Sequence, residues 1–364
     1  MYESDNRVVM TLDAGGTYFV FSAIKGCASV VSPVCLPSVP NDLDQCLSVL
    51  VDGFRKVKDA LTEEPVAISF AFPGPADYEH GVIGDLPNFP AFRGGVALGP
   101  FLEEQFDIPV FINNDGNLFA YGEALAGALP QINRELEAAG NPKCYKNLLG
   151  ITLSTGFGAG VVINNHLLTG DNGCGGDVWL MRNKKYPDML AEESVSIRAV
   201  RRVYGELTGE NADSLTPKEV FDIAEGIRPG NRDAAVQSFD ELGEMAGAAI
   251  VNALNIVDGI VVIGGGVSGA YKYILPAMMR EMRRSISTFA GLNFDCLQSK
   301  VYNLMDEQDR SLFFTNKRSD VKVPFIDKYA AYDCFKKTGI ILSELGANKA
   351  IALGAYAYAL SRLK

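Results

Sequence analysis

Carboxylates and glycine-rich turns are the features of this chain best suited to chemistry. Its two histidines, His80 and His166, sit in turn-like surroundings (YEHG and INNHL) and supply neither a Ser-His-Asp hydrolase nor a multi-histidine metal site. Acid-base work would then fall to a carboxylate. In FINNDGN, Asn114 or Asp115 either caps a helix that starts near Gly116 or stands at the C-terminal end of a strand. A carboxylate placed there could accept the proton of an attacking hydroxyl during phosphoryl transfer.

Three turns are rich in glycine. In DAGGT, Gly15 and Gly16 either permit the positive φ angles of a hairpin or offer bare N–H groups to a phosphate, with a hydroxyl from Thr17 and a Mg²⁺ ligand from Asp13. STGFGAG at 154–160, carrying Thr155, Gly156 and Gly158, is a second such turn, and the pair could grip one polyphosphate. GGGVSG at 264–269 matches GxGxxG, but a nicotinamide site also needs an acidic residue about 20 positions on, at a strand end. Glu281 falls inside a helical stretch and Asp295 follows no clear strand, so the dehydrogenase reading is the weaker one. No GxxxxGK[ST] occurs, which excludes a P-loop. Residues 170–176, GDNGCGG, crowd glycine again, and glycine at that density indicates close backbone approach.

The elements that must position these residues alternate between strands and helices. Val8 to Leu12, the DAGGT turn and Tyr18 to Ile24 read as strand, turn and antiparallel strand, and Leu43 to Leu61 keeps helical spacing. Leu148 to Leu153, the STGFGAG turn and Val161 to Ile163 repeat the opening device, and a long helix from about Ala234 to Asn255 leads into strand Ile260 to Ile263. The doubled opening predicts two similar α/β domains facing a cleft. At 364 residues the chain is long enough for them. A net charge of −11 argues against nucleic acid, and no apolar window is long enough for a membrane span. The N-terminus lacks a signal-peptide pattern, and the seven cysteines show no CxxC spacing, so a cytoplasmic protein with reduced thiols is expected.

Taken in order, DAGGT, GPAD (74–77), PNFPAF (87–92), NNDGNLFAYGE (113–123), STGFGAGVV, GDNGCGGD and NIVDGIVVIGGGVS (255–268) resemble the ROK (repressor, open reading frame, kinase) family, as does the ending SELGANKAIALGAYAYAL. The resemblance covers nearly all of the chain except 297–335, which reads as an insertion. It implies an α/β two-domain actin-like ATPase (ribonuclease H-like) fold of the sugar kinase/hexokinase superfamily. An N-terminal domain over 1–113, joined by a C-terminal helix at about 345–364, would precede a second domain over 114–344. ATP and a hexose or N-acetylhexosamine would meet in the interdomain cleft. Asp115 would be the catalytic base, Gly74, Asn88, Asn114, Asp177 and Glu192 would contact the sugar, and the 13–17 and 154–160 loops would hold phosphate. Gly265 and Gly266 would lie near adenosine, Mg²⁺ would accompany ATP, and a homodimer is the expected assembly.

One block departs from the family pattern. The family continues after its glycine run with Glu-x-Gly-His and a cysteine-rich zinc segment, whereas here Asp177, Trp179 and Leu180 replace the glutamate, glycine and histidine and the cysteines are missing. Glu192 aligns with the segment's terminal glutamate. No zinc is therefore expected, and Trp179 is expected to anchor the segment as a core residue rather than stack on a sugar. The departure keeps two other readings open, a sugar-binding sensor without turnover and the family's repressor branch. Repressors carry a helix-turn-helix before DAGGT, and twelve residues precede Asp13 here.

Overall fold

A computed structural model describes residues 2–363 apart from Gly16, Pro87 and Asn88. The chain divides into two units, one of residues 1–128, 160–176 and 344–364 and the other of residues 129–159 and 177–343.

In the first unit, β1 (Val8–Ala14) turns back as β2 (Tyr18–Lys25), and β3 (Ala28–Ser29) and β4 (Val34–Pro37) pair antiparallel with β2. On its other side β1 runs parallel to β5 (Pro65–Ala71), which runs parallel to β8 (Val110–Asn113). The apolar run of β1 is buried on both faces, as an interior strand requires. Val8, Met10 and Leu12 point to a phenylalanine-rich layer under α1 (Leu43–Ala60) and α2 (Leu98–Phe106), while Val9 packs on α10 (Ala347–Arg362). Asp42 caps α1 by accepting from the Gln45 amide. Two short strands, β6 (Ala76–Asp77) and β7 (Val82–Ile83), form a ribbon after β5. The helix α3 (Asp115–Leu125) leaves β8 directly and lies along α10.

Helix α4 (Ala128–Ala138) leads into the second unit, whose parallel strands are β9 (Leu148–Leu153), β12 (Ile260–Gly264), β18 (Lys337–Leu342) and β15 (Lys300–Asn303). After β9 the chain reverses into β10 (Phe157–Ile163), which pairs antiparallel with β11 (His166–Leu167). Helices α5 (Ile197–Thr208), α6 (Pro217–Ala224), α7 (Arg232–Val257) and α8 (Tyr271–Met282) pack in series, with α7 running along α8.

Residues 297–335 are only partly an insertion. β15 joins the parallel sheet beside β18 and α9 (Glu307–Phe314) buries Phe313 and Phe314, so the first half belongs to the unit's core. The strand has four residues and the helix eight, too short to leave a readable period. An exposed hairpin of β16 (Ser319–Lys322) and β17 (Tyr329–Tyr332) follows, and a smaller one of β13 (Ser285–Ser287) and β14 (Asn293–Asp295) precedes β15.

Candidate active site

In the first unit the carboxyl ends of β1, β5 and β8 lie side by side, the usual place for ligands in a sheet with parallel strands. Asp13 is the penultimate residue of β1, opposite Val20, and among the described residues its carboxylate has no hydrogen-bond partner. Desolvation raises its pKa above the usual carboxylate value. Gly15 is tightly placed, since a Cβ there would lie 2.7 Å from the Tyr18 carbonyl oxygen, and Thr17 is exposed with its carbonyl accepting from the Ser38 amide at 3.1 Å. Gly74, beyond β5, lies against the Tyr78 hydroxyl. Gly16 and Asn88, both expected in the site, lie outside the described residues.

At the end of β8, Asn114 and Asp115 divide the two roles that their sequence left open. Asn114 Oδ1 accepts from the Gly116 amide at 2.8 Å and is the N-cap of α3, while Asp115 is the first helical residue. Its carboxylate is open to solvent on one side, yet the surrounding protein is dense enough that desolvation raises its pKa. The Gly116 amide, which also donates to Asp115 Oδ1 at 2.8 Å, opposes that rise, and no Lys or Arg pairs with the carboxylate among the described residues. Below them Asn113 is buried, its Oδ1 accepting from the Asn114 amide at 2.7 Å and from Asn117 Nδ2 at 3.0 Å, which fixes the start of the helix. Sequence reasoning passed over Asn113 and Asn117, because Asn113 ends the strand and only the strand-to-helix junction brings it against Asn117 in the first turn of α3.

In the second unit the two remaining glycine loops are neighbours, because β9 and β12 pair with Thr152 opposite Gly264. Gly265 has φ of +92°, and a Cβ there would collide with the backbone of Leu153, so only glycine closes the loops onto each other. Thr155 and Gly266 are exposed at this surface, and Gly158 packs against the Thr152 hydroxyl. Gly156 lies against Glu192, whose Oε2 accepts from the Phe157 amide at 3.0 Å.

The glycine run at 170–176 approaches its own backbone. The Gly175 amide donates to the Thr169 carbonyl at 3.0 Å, a Cβ on Gly175 would lie 2.5 Å from the Leu168 carbonyl oxygen, and Gly170, Gly173 and Gly176 hold positive φ. The exposed Asp177 follows and leads into a single 3₁₀ turn, Val178–Leu180. The expected core anchor there is corrected: Val178 is buried, Trp179 only half-buried and Leu180 exposed. A 3₁₀ turn fans three successive residues about the axis, so one of them takes the inward position.

Asn183, which the sequence reading missed, anchors the segment instead. Its buried side chain donates to the Leu190 carbonyl at 3.1 Å and to Ser194 Oγ at 2.8 Å, and accepts from the Lys185 and Tyr186 amides at 3.0 Å each. Lys184 pairs with Glu244 of α7 and Glu281 of α8, and Lys185 with Glu241 of α7. Among the described residues no group of three or more His, Cys, Asp or Glu side chains could hold a metal ion.

The model of the ROK family matches residues 9–303. The chain belongs to the ROK family. Among solved structures it is similar over 100% of both chains to a glucokinase from Parabacteroides distasonis, at 59% identity and a TM-score of 0.90. A ROK family glucokinase from Streptomyces griseus in complex with glucose and AMPPNP shares the fold, at 18% identity and a TM-score of 0.60 over 96% of this chain and 98% of that one. Glucokinase of Thermotoga maritima is 28% identical over 74% of this chain and 85% of its own length. N-acetyl-D-glucosamine kinase of Photobacterium profundum is 26% identical over 70% and 83%. The sheets and helices above are those of the two-domain actin-like ATPase fold found in ROK sugar kinases.

Proposed function

We propose that this chain transfers the γ-phosphoryl group of ATP to a hydroxyl of a hexose or N-acetylhexosamine, with Asp115 accepting the hydroxyl proton. The enzyme class is that of an ATP-dependent sugar kinase, on full-length likeness to a glucokinase at 59% identity. The observation that carries the assignment of the base is Asp115 itself, an exposed carboxylate at the head of α3 just beyond the end of β8, unpaired with any cation among the described residues. Raised basicity brings such a group closer to the working pH of a general base.

Asn114, Gly74 and Asn88 of the first unit, with Asp177 of the second, would hold sugar hydroxyls. Thr155, Gly156 and Gly158 would take phosphate through backbone amides and a hydroxyl, and Gly265 and Gly266 the nucleoside, while Asp13, Gly15, Gly16 and Thr17 supply a second phosphate turn. The reaction requires both sets to act on one pair of substrates, and most of its acceleration would come from positioning and charge stabilisation. The Asp13 carboxylate, without a hydrogen-bond partner among the described residues, fits Mg²⁺, which takes one or two carboxylates and keeps its other positions for water and phosphate oxygens. When bound, the ion would neutralise charge on the polyphosphate.

The test is release of ADP by purified protein across a panel of hexoses and amino sugars. One or more sugars should stimulate it, and Asp115→Asn should lower kcat by about 10²- to 10⁴-fold. No sugar-dependent ADP from any of them, or an unchanged Asp115→Asn enzyme, would overturn the proposal.

A further inference from the structure

Two hairpins meet the parallel sheet of the second unit at the same end. β15 starts at Lys300 and β18 at Lys337, and these two residues are register partners, so β13–β14 and β16–β17 both lead into the amino ends of neighbouring strands. The glycine loops at 154–160 and 264–269 follow the opposite, carboxyl ends of the sheet's parallel strands. Every residue of β16 and β17 is exposed, and a two-stranded ribbon with neither face covered is marginal in water. The base of this ribbon is held, since Lys317 and Lys300 lie over the Phe335 ring with Nζ 5.2 and 6.0 Å from its centre. Val321, Phe325, Ile326, Tyr329 and Tyr332 leave apolar surface in solvent, on the order of 500 Å² by the usual size of such side chains. That matches the largest bare patch of a typical monomer, and with Phe289 and Phe294 of the β13–β14 hairpin it approaches the ~800 Å² that a stable interface takes from each partner.

We propose that the β16–β17 hairpin is a docking arm for a second copy of this chain, joined edge to edge through β16 about a two-fold axis at Val321. The ladder sets which backbone groups are available. The Val323 amide donates to the Lys328 carbonyl at 2.8 Å, and two residues back Val321 lies opposite Ala330, so the backbone groups of Asp320 and Lys322 point away from β17. Among the described residues no other strand lies beside β16. Two antiparallel copies of β16 centred on Val321 set Asp320 of each opposite Lys322 of the other. The outward backbone groups then pair, and two opposite-charge cross-strand pairs form on one face. Within one copy Lys322 reaches Asp327 at 3.7 Å with both side chains largely exposed, a contact weak enough to exchange. An edge guarded against pairing carries like charges or proline, whereas β16 carries one charge of each sign, placed symmetrically about Val321. Self-complementarity of this kind is what an isologous interface requires, and it selects a second copy over a different partner. The inference is independent of the catalytic reading.

The experiment is sedimentation velocity on the full chain from about 1 to 100 μM, comparing wild type, Asp320→Lys, Lys322→Asp and the double exchange of both residues. Wild type should self-associate reversibly. Each single reversal sets like charges opposite one another twice and should weaken association about tenfold or more, a gap that narrows as salt is raised. The double exchange restores opposite charges across the axis and should return to within about threefold of wild type. Both side chains are exposed, so the variants should melt with wild type, and because the two reversals are reciprocal either one carries the test if the other folds poorly. A wild type that stays monomeric throughout would overturn the proposal. So would an assembly indifferent to the single reversals, or a double exchange that remains as weak as they are.

Discussion

A single carboxylate at the head of α3 is asked to be a base, and its surroundings set its pH behaviour. Desolvation lifts the pKa of Asp115, against the Gly116 amide that lowers it. The acid limb of kcat/KM should therefore lie above the ordinary aspartate range, with activity lost as pH falls through the raised value. The same shift has an opposite signature in stability. A carboxyl whose folded pKa is raised binds protons more tightly in the folded state, so stability falls as pH rises from the unfolded to the folded value. Asp115→Asn should then unfold at a higher temperature than wild type near neutral pH, and the two should converge as pH drops below the unfolded value. Thermal melts across that range check it, and a wild type that stays the more stable at neutral pH would contradict the desolvated environment.

Helix contact and segment anchoring decide how these residues are held. The α3–α10 contact is made by small residues: a Cβ on Gly122 would meet the Ala350 carbonyl, and one on Gly354 the Leu118 carbonyl. Gly354→Leu should separate the helices and destabilise the protein by about 3 kcal/mol or more, an overpacking effect read by denaturant unfolding. Because α3 carries Asp115, kcat should fall as well. Asn183→Leu removes four hydrogen bonds from the 181–194 segment and leaves buried partners unsatisfied, with an expected loss of about 1–3 kcal/mol. The ion pairs of Lys184 and Lys185 are partly exposed, so their single removal should matter much less.

Across the whole molecule, the same arrangement appears in each unit: glycine turns and carboxylates gather where parallel strands end. The chain's net charge of −11 suits a small-molecule enzyme better than a nucleic-acid binder, and no helix among the described residues is long and apolar enough to cross a membrane. Hydrogen bonds and ion pairs occupy the segment where the family pattern carries zinc. Elemental analysis of protein purified without added metal should find substoichiometric zinc, and EDTA should leave the unfolding midpoint of the ligand-free protein unchanged. Stoichiometric zinc, or a midpoint lowered by EDTA, would require a site built from other residues.

Much of this was legible in the sequence wherever neighbouring residues suffice. The β1–β2 and β9–β10 turns, a helix cap at Asn114 or Asp115 and the order of the glycine motifs follow from backbone sterics and hydrogen bonds that span a few residues. Only the tertiary structure decided the rest. It divided Asn114 from Asp115, gave the inward place beside Asp177 to Val178 rather than Trp179, and made Asn183 the anchor. It also brought Glu192 onto a turn 35 residues earlier in the chain. Desolvation, close helix approach and long-range hydrogen bonds depend on which surfaces meet after folding, and no local pattern of residue types encodes that meeting.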